Sequence, residues 1–206
     1  MSTLHPPHEP TSPAALADLA QDLLDWYGDH RRSLPWRENP TPYAVWISEV
    51  MLQQTQAERA AVYFTRWMTR FPDVETLARA DEEAVLKAWE GLGYYARARH
   101  LLAAARRIMD EHGGRFPEDA TAVARLPGIG PYTLGAIQSL AFNRPVPAVD
   151  ANVERVLARL FDLDGPVKSR PVRERLRELA QALLLALPRI PSPTPSDANA
   201  IWRGPR

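Results

Sequence analysis

The stretch LPGIGPYTLGAI, residues 126–137, decides the fold. Its first half is a turn with Gly128 and Gly130, both of which can adopt positive φ and have no Cβ to block a close neighbour. Its second half begins a helix at Pro131, a position where the missing N–H of proline is harmless. The stretch therefore predicts a hairpin turn over 126–131 between two helices.

The start of a helix exposes unpaired N–H groups and the positive end of the helix dipole. Glycine lets an anion come close to such groups. The turn is thus either a clamp for one backbone phosphate of a nucleic acid, which would read no base, or a helix–turn–helix corner without a ligand. The pattern of this stretch alone leaves both interpretations open.

Composition removes several other classes of protein. The 206 residues include 25 acidic and 25 basic residues and no cysteine. Without cysteine, the chain cannot form disulfides, thiolate nucleophiles or cysteine-ligated metal sites. There is no run of about 18 apolar residues and no signal-peptide pattern at the start. We therefore expect a cytoplasmic monomer with no membrane partner.

Helical spacing of apolar residues runs through most of the chain, and no alternating strand pattern competes with it. Signals for helix starts stand at Ser12-Pro13, Thr41-Pro42, Asp81, Pro131 and Asp150. The predicted class is all-α. Residues 14–187 are predicted to form the core, between a disordered tail at 1–13 and an irregular, proline-rich tail at 188–206.

Three further motifs accompany the hairpin, in the order LPWRENPTPYAVWISEVMLQQTQ (34–56), GLGYYARARHL (91–101) and AVDANVERVLAR (148–159). Together with the hairpin they resemble the adenine DNA glycosylase family, within the helix-hairpin-helix superfamily that includes endonuclease III. The resemblance runs from about residue 15 to about residue 187. It implies two helical subdomains with the active site in the cleft between them.

The resemblance also implies an activity in base excision repair. The family hydrolyses the N-glycosidic bond of adenine mispaired with 8-oxoguanine or guanine in double-stranded DNA. Such a reaction calls for an acid that protonates the base and an anion that stabilises the positive sugar.

Glu49 is the candidate for the acid that protonates the base. Val45, Trp46 and Leu52 share its side of the helix, and this apolar surrounding is predicted to raise the pKa of Glu49. The alternative is a solvated surface glutamate. The resemblance assigns Glu49 to the protonation of adenine and then to the activation of water.

Asp150 stands 18 residues after Tyr132, as the family's aspartate does after a key hairpin position. It is a helix N-cap, the stabilising anion, or both. The resemblance assigns it to the sugar cation, through charge or a transient covalent bond, with Asn152 as a supporting contact. Endonuclease III has a lysine in place of Tyr132 and forms a Schiff base with it, so a tyrosine implies base removal without efficient strand cleavage.

The target base must leave the DNA stack before an acid can reach it. By resemblance, Gln54 and Tyr94 insert into the DNA, and Thr55 lies beside the orphaned partner base. The adenine pocket would be lined by Trp36, Arg37 and Leu52.

Three expectations concern the surroundings of these residues. One of Tyr94 and Tyr95 should pack in the core. Arg97, Arg99, Arg106 and Arg107 either supply positive charge to the DNA or lie on a solvated helix face. The resemblance also allows a monovalent cation at the hairpin carbonyls near Leu126 and Ile129.

The resemblance stops near Leu187. The family continues with a segment that completes the adenine pocket, a loop whose four cysteines bind a [4Fe-4S] cluster, and a domain that recognises 8-oxoguanine. Because this chain has no cysteine, it cannot ligate that cluster. We expect either a compact glycosylase or a truncated or frame-shifted product with weak or absent excision, and the proline-rich tail favours the second.

Two other functions remain open. The chain could bind DNA without excising a base, or it could be a mismatch glycosylase for another base, such as thymine. Glu49 favours adenine, because the protonation of a purine nitrogen requires an acid at that place.

Overall fold

A computed structural model describes residues 12–187. The predicted tail at 188–206 and residues 1–11 of the predicted N-terminal tail lie outside the described residues. Within residues 12–187 all regular structure is helical, with eleven α-helices, one π-helix and no strand. This confirms the predicted all-α class.

The helices are α1 (Pro13–His30), α2 (Pro35–Glu38), α3 (Pro42–Leu52), α4 (Ala57–Arg70), α5 (Val74–Ala78), α6 (Glu82–Trp89), α7 (Ala96–His112), α8 (Ala120–Ala124), α9 (Pro131–Ala136), a π-helix (Ile137–Ala141), α10 (Ala151–Leu160) and α11 (Arg170–Ala186). None of these helices is long and apolar enough to cross a membrane.

Local capping explains where the long helices begin and end. The Ser12 hydroxyl accepts a hydrogen bond from the N–H of Ala15 (3.2 Å) at the start of α1. The Thr41 hydroxyl accepts one from the N–H of Ala44 (3.1 Å) at the start of α3. Helix α7 ends at Gly113, whose φ of 59° suits a residue without a Cβ.

The chain forms two compact units. In the described residues, the first unit comprises residues 12–31 and 145–187. There α1 and α10 both pack against α11. The core of this unit consists of Leu16, Leu157, Phe161, Leu176, Leu179 and Ala180. The two units agree with the two helical subdomains that the resemblance implies.

The second unit comprises residues 32–144 and has α3 at its centre. Ten of the eleven residues of α3 are buried, so this helix is covered on every side. It contacts α4, α9 and the π-helix. A helix in such a position must be apolar nearly all round, which makes any charged residue on α3 exceptional.

An aromatic network attaches α3 to α4. The Tyr43 hydroxyl donates a hydrogen bond to the carbonyl of Phe71 (2.8 Å) and accepts one from the indole N–H of Trp67 (3.2 Å). Burial raises the pKa of Tyr43. The Trp67 ring also packs edge-on against Phe71 and Trp89, and such aromatic pairs each contribute about 1 kcal/mol. These contacts fix the position of α3 against α4.

Candidate active site

Glu49 is the charged residue of α3, and only 6% of its surface is exposed. Val45 and Trp46, one turn earlier on the same helix, are 2% and 1% exposed. The apolar surrounding that the sequence predicts is therefore present, and the alternative of a solvated surface glutamate is wrong. Burial of a carboxyl group disfavours its charged form, because charge is poorly solvated inside a protein.

A sharp turn follows the end of α3. Gln54 is exposed and has a φ of 60°, the left-handed region that residues with a side chain rarely enter. Leu52 and Thr55 are half-buried. The N–H of Thr55 donates to the carbonyl of Leu52 (3.2 Å), which closes the turn. The side chain of Gln54 is thus held at the surface of the second unit.

The loop between α6 and α7 presents two tyrosines. Tyr94 is 69% exposed and Tyr95 is 39% exposed, so the prediction that one of them packs in the core is wrong. Trp89 takes the core position instead, since it is fully buried, and its indole N–H donates to the carbonyl of Gly93 (3.0 Å). Tyr94 has a φ of 48°, so it shares the left-handed backbone of Gln54.

Arg97 does not lie on a solvated helix face, and its supply of positive charge to DNA stays a prediction. It is half-buried, and burial lowers its pKa, although the neighbouring Tyr94 raises it. Its guanidinium group donates to backbone carbonyls of two separate segments. These are the carbonyls of Val50 (2.8 Å), Met51 (3.4 Å), Gln53 (2.5 Å), Leu92 (3.0 Å) and Gly93 (3.2 Å).

The hairpin lies between α8 and α9. Gly128 has a φ of 79°, and a Cβ there would lie 2.8 Å from the Cβ of His100, so the need for glycine is real. Gly130, the N-cap of α9, has a φ of −94°, so of the two glycines only Gly128 uses the positive φ that both can adopt. Leu126 is buried, and its carbonyl accepts a hydrogen bond from the N–H of Ile129 (3.2 Å).

Tyr132 is half-buried in the first turn of α9. The monovalent cation near the hairpin stays a prediction. Across the described part of the chain, no group of three or more His, Cys, Asp or Glu side chains is arranged to hold a metal ion.

Asp150 is the N-cap of α10, in the first unit. Its Oδ1 accepts hydrogen bonds from the N–H groups of Asn152 (3.0 Å) and Val153 (2.8 Å), and its Oδ2 accepts one from the Asn152 side-chain amide (3.1 Å). Arg155 in turn donates to the side-chain oxygen of Asn152 (2.9 Å). These contacts orient the carboxylate and disperse its negative charge.

Residues 47–182 match the HhH-GPD superfamily base excision DNA repair protein family. The chain belongs to the HhH-GPD superfamily. It is 41% identical over 192 residues to the adenine DNA glycosylase of Mus musculus, which covers 89% of this chain and 37% of that protein. It is 44% identical over 171 residues to the adenine DNA glycosylase of Homo sapiens, which covers 79% of this chain and 31% of that protein.

The solved structure of a thermostable thymine-DNA glycosylase is similar, with a TM-score of 0.72, 27% identity, and coverage of 89% of this chain and 82% of that one. The chain therefore has the helix-hairpin-helix glycosylase fold that the sequence predicts. It spans about a third of the length of the two mammalian relatives, 37% and 31%.

Glu49, the hairpin and Asp150 lie within the HhH-GPD match, whereas two predicted pocket residues precede it. Trp36 is 6% exposed and packs edge-on against Phe64, with ring centroids 5.5 Å apart. Arg37 is exposed and donates to the carbonyl of Arg32 (3.0 Å). The contacts of these two residues with adenine stay predictions.

Proposed function

We propose that this HhH-GPD protein is an adenine DNA glycosylase of base excision repair. It hydrolyses the N-glycosidic bond of adenine opposite 8-oxoguanine or guanine in double-stranded DNA, as a cytoplasmic monomer. The observation that carries the proposal is the buried carboxyl group of Glu49 on α3, inside the HhH-GPD match. The name adenine DNA glycosylase, shared by relatives at 41% and 44% identity, supports the choice of base.

Glu49 is the general acid of the proposed reaction. A carboxyl group that is 6% exposed holds its proton more readily than one in water, because the charged form loses its hydration. It donates this proton to a ring nitrogen of adenine as the glycosidic bond breaks. The resulting carboxylate then accepts a proton from the water molecule that attacks the sugar.

Asp150 stabilises the positive charge that develops on the sugar. Its carboxylate is held in place by two backbone N–H groups and the amide of Asn152, so it needs no rearrangement when that charge appears. The chain has no cysteine to ligate the family's iron–sulfur cluster, and no step of this reaction passes through one.

Gln54 and Tyr94 are the side chains that fill the gap left by the extruded adenine. Both are exposed and both occupy left-handed backbone positions at turns of the second unit. A planar ring and an amide suit this task, since one stacks on neighbouring bases and the other forms hydrogen bonds with the orphaned base. The Gly128 turn lies against a backbone phosphate. Because Tyr132 has no amine, it forms no Schiff base with the sugar, and base removal proceeds without efficient strand cleavage.

A second candidate function is the removal of thymine from mismatches. The observation in its favour is the 27% identity and 0.72 TM-score with a thymine-DNA glycosylase. The two functions differ in the base that is released, so one substrate panel separates them.

The test is single-turnover base release with the purified chain on three duplexes of one sequence. They carry adenine opposite 8-oxoguanine, thymine opposite guanine, and adenine opposite thymine as the control. We expect alkali-dependent cleavage of the first duplex and no cleavage of the other two. Release of thymine alone would favour the second candidate. Binding of the first duplex without any release would contradict the proposal and indicate a DNA-binding protein without excision activity.

A further inference from the structure

Arg97 joins two segments of the second unit. One is the Gln54 turn, residues 53–56 between α3 and α4, and the other is the Tyr94 loop, residues 90–95 between α6 and α7. We propose that Arg97 is a positioning residue that couples these segments, so that both side chains enter the DNA as one preassembled unit. The proposal rests on the proposed function, in which Gln54 and Tyr94 replace the extruded base. The first observation in its favour is that a single guanidinium group donates to five carbonyls, three after Glu49 and two in the Tyr94 loop.

On one side Arg97 completes the end of α3. The last carbonyls of a helix have no partner within it, and here the carbonyls of Val50 and Met51 accept from Nη1 of Arg97. Nη1 also reaches the carbonyl of Gln53, directly before Gln54. A positive charge at this end also complements the helix dipole. The Gln54 turn is therefore attached to Arg97 at the residue preceding it.

On the other side Arg97 holds the loop that presents Tyr94. Nη2 donates to the carbonyls of Leu92 and Gly93, directly before Tyr94. The guanidinium carbon lies 5.6 Å from the centre of the Tyr94 ring, close enough for a cation–π contact. The loop is thus attached through its backbone and through the side chain that enters the DNA.

Other side chains hold the Tyr94 loop but do not provide this link. Arg59 donates to the carbonyl of Gly91 (2.5 Å), and Trp89 donates to the carbonyl of Gly93 (3.0 Å). Neither has a hydrogen bond to the end of α3 among the contacts of residues 12–187. Loss of Arg97 would therefore leave the loop partly anchored while removing its connection to the Gln54 turn.

The backbone of both segments needs such support. Gln54 and Tyr94 have φ values of 60° and 48°, which are unfavourable for residues with a side chain. Unfavourable backbone conformations persist where their surroundings hold them. A lysine could not replace Arg97 fully, because an ammonium has three donors around a point and lacks the planar fork of a guanidinium.

The test compares Arg97→Met with Arg97→Lys and with a matched control, Arg106→Met. Arg106 lies on the same helix and also donates to two backbone carbonyls, those of Ala78 (3.2 Å) and Ala80 (3.1 Å), at the end of α5. It differs in that neither carbonyl belongs to the Gln54 turn or the Tyr94 loop. The control thus removes the same kind of contact away from the inserted side chains.

The first measurement is hydrogen exchange of the free proteins by mass spectrometry. We expect Arg97→Met to accelerate exchange in both residues 52–56 and residues 91–96, and Arg106→Met to accelerate it only around α5. Faster exchange in only one of the two segments, or equal patterns in both variants, would overturn the coupling. This measurement needs neither DNA nor turnover. If the unmutated chain released no adenine, the proposed function would be wrong. The exchange measurement would still show whether Arg97 couples the Gln54 turn to the Tyr94 loop.

The second measurement uses a duplex with adenine opposite 8-oxoguanine and a neighbouring 2-aminopurine, whose fluorescence rises when stacking is disturbed. We expect Arg97→Met to reduce both this rise and the rate of adenine release, the latter about 100-fold, because small misplacements of positioned groups have effects of that size. Arg97→Lys should recover part of both. An equal loss in Arg106→Met at matched thermal stability would overturn the proposal, because a general structural effect would then explain it.

Discussion

Glu49 and Asp150 are both carboxylic acids, but the chain surrounds them in opposite ways. Glu49 lies within a helix that is buried on every side, next to Val45 and Trp46. Asp150 precedes a helix, is half-buried, and accepts three hydrogen bonds, two from backbone N–H groups and one from Asn152. One setting removes water from the carboxyl group, and the other supplies hydrogen-bond donors to it.

The difference shows how one chain can supply an acid and an anion from similar side chains. Each environment arises locally, because burial follows from the position of Glu49 in α3 and the donors follow from the start of α10. Pairs of carboxyl groups in contrasting environments are a common way to divide acid and anion roles. Four substitutions test this division, in order of decreasing effect.

The largest effect is expected for Glu49→Gln. The amide matches the carboxyl group in shape but has no acidic proton, so the rate of adenine release should fall about 10²–10⁴-fold. DNA affinity, measured by gel shift, should change little. A rate close to that of the unmutated chain would mean that another group protonates the adenine.

A smaller loss is expected for Asp150→Asn, about 10²–10³-fold in single-turnover rate, because the fixed negative charge disappears. Asparagine is as good an N-cap as aspartate. The thermal unfolding midpoint should therefore stay near that of the unmutated chain. A large fall in the midpoint with an unchanged rate would assign Asp150 to capping alone.

Asn152→Ala removes the side-chain donor from Oδ2 of Asp150 and leaves the two backbone donors to Oδ1. A hydrogen bond to a charged group contributes about 1.5 kcal/mol or more, so the release rate should fall about tenfold. The double variant Asp150→Asn/Asn152→Ala should be little slower than Asp150→Asn. Full additivity would show that Asn152 acts independently of Asp150.

The smallest effect on catalysis is expected for Thr41→Ala. Thr41 caps the helix that carries Glu49, as Asp150 caps α10, but its contact is to a backbone N–H far along the helix from Glu49. Its loss should lower the free energy of unfolding by about 1 kcal/mol and leave the release rate unchanged. Asp150→Ala should lower both the free energy of unfolding and the release rate. Equal losses of release rate in Thr41→Ala and Asp150→Ala would contradict the proposed role of Asp150.

The long helices and their starts could be predicted from the sequence, because a serine or threonine followed by proline is a local signal. Pro13 and Pro42 begin helices as expected. The short helices α2, α5 and α8 were not predicted, since four or five residues are too few to show a helical period. The site residues Glu49 and Asp150 stood out through apolar spacing and capping, together with the family resemblance.

The exposure of the tyrosines and the partners of Arg97 were beyond sequence reasoning. Trp89 is buried and both tyrosines are exposed, and the sequence alone does not show which of these three rings lies in the core. Gly128 and Gly130 can both adopt positive φ, yet only Gly128 does so, and only there would a Cβ meet a close neighbour, His100. Each of these outcomes depends on residues from another segment.

The sequence by itself determined the long helices, their caps and the two carboxyl groups, because helix periodicity and capping act over three or four residues. Only the tertiary structure decided what Arg97 does. Its partners Val50 and Gln53 lie 47 and 44 residues away along the chain and offer backbone carbonyls, which every residue has. No side-chain pattern can mark such a contact in advance, because it forms only when the end of α3 and the Tyr94 loop meet in the folded second unit.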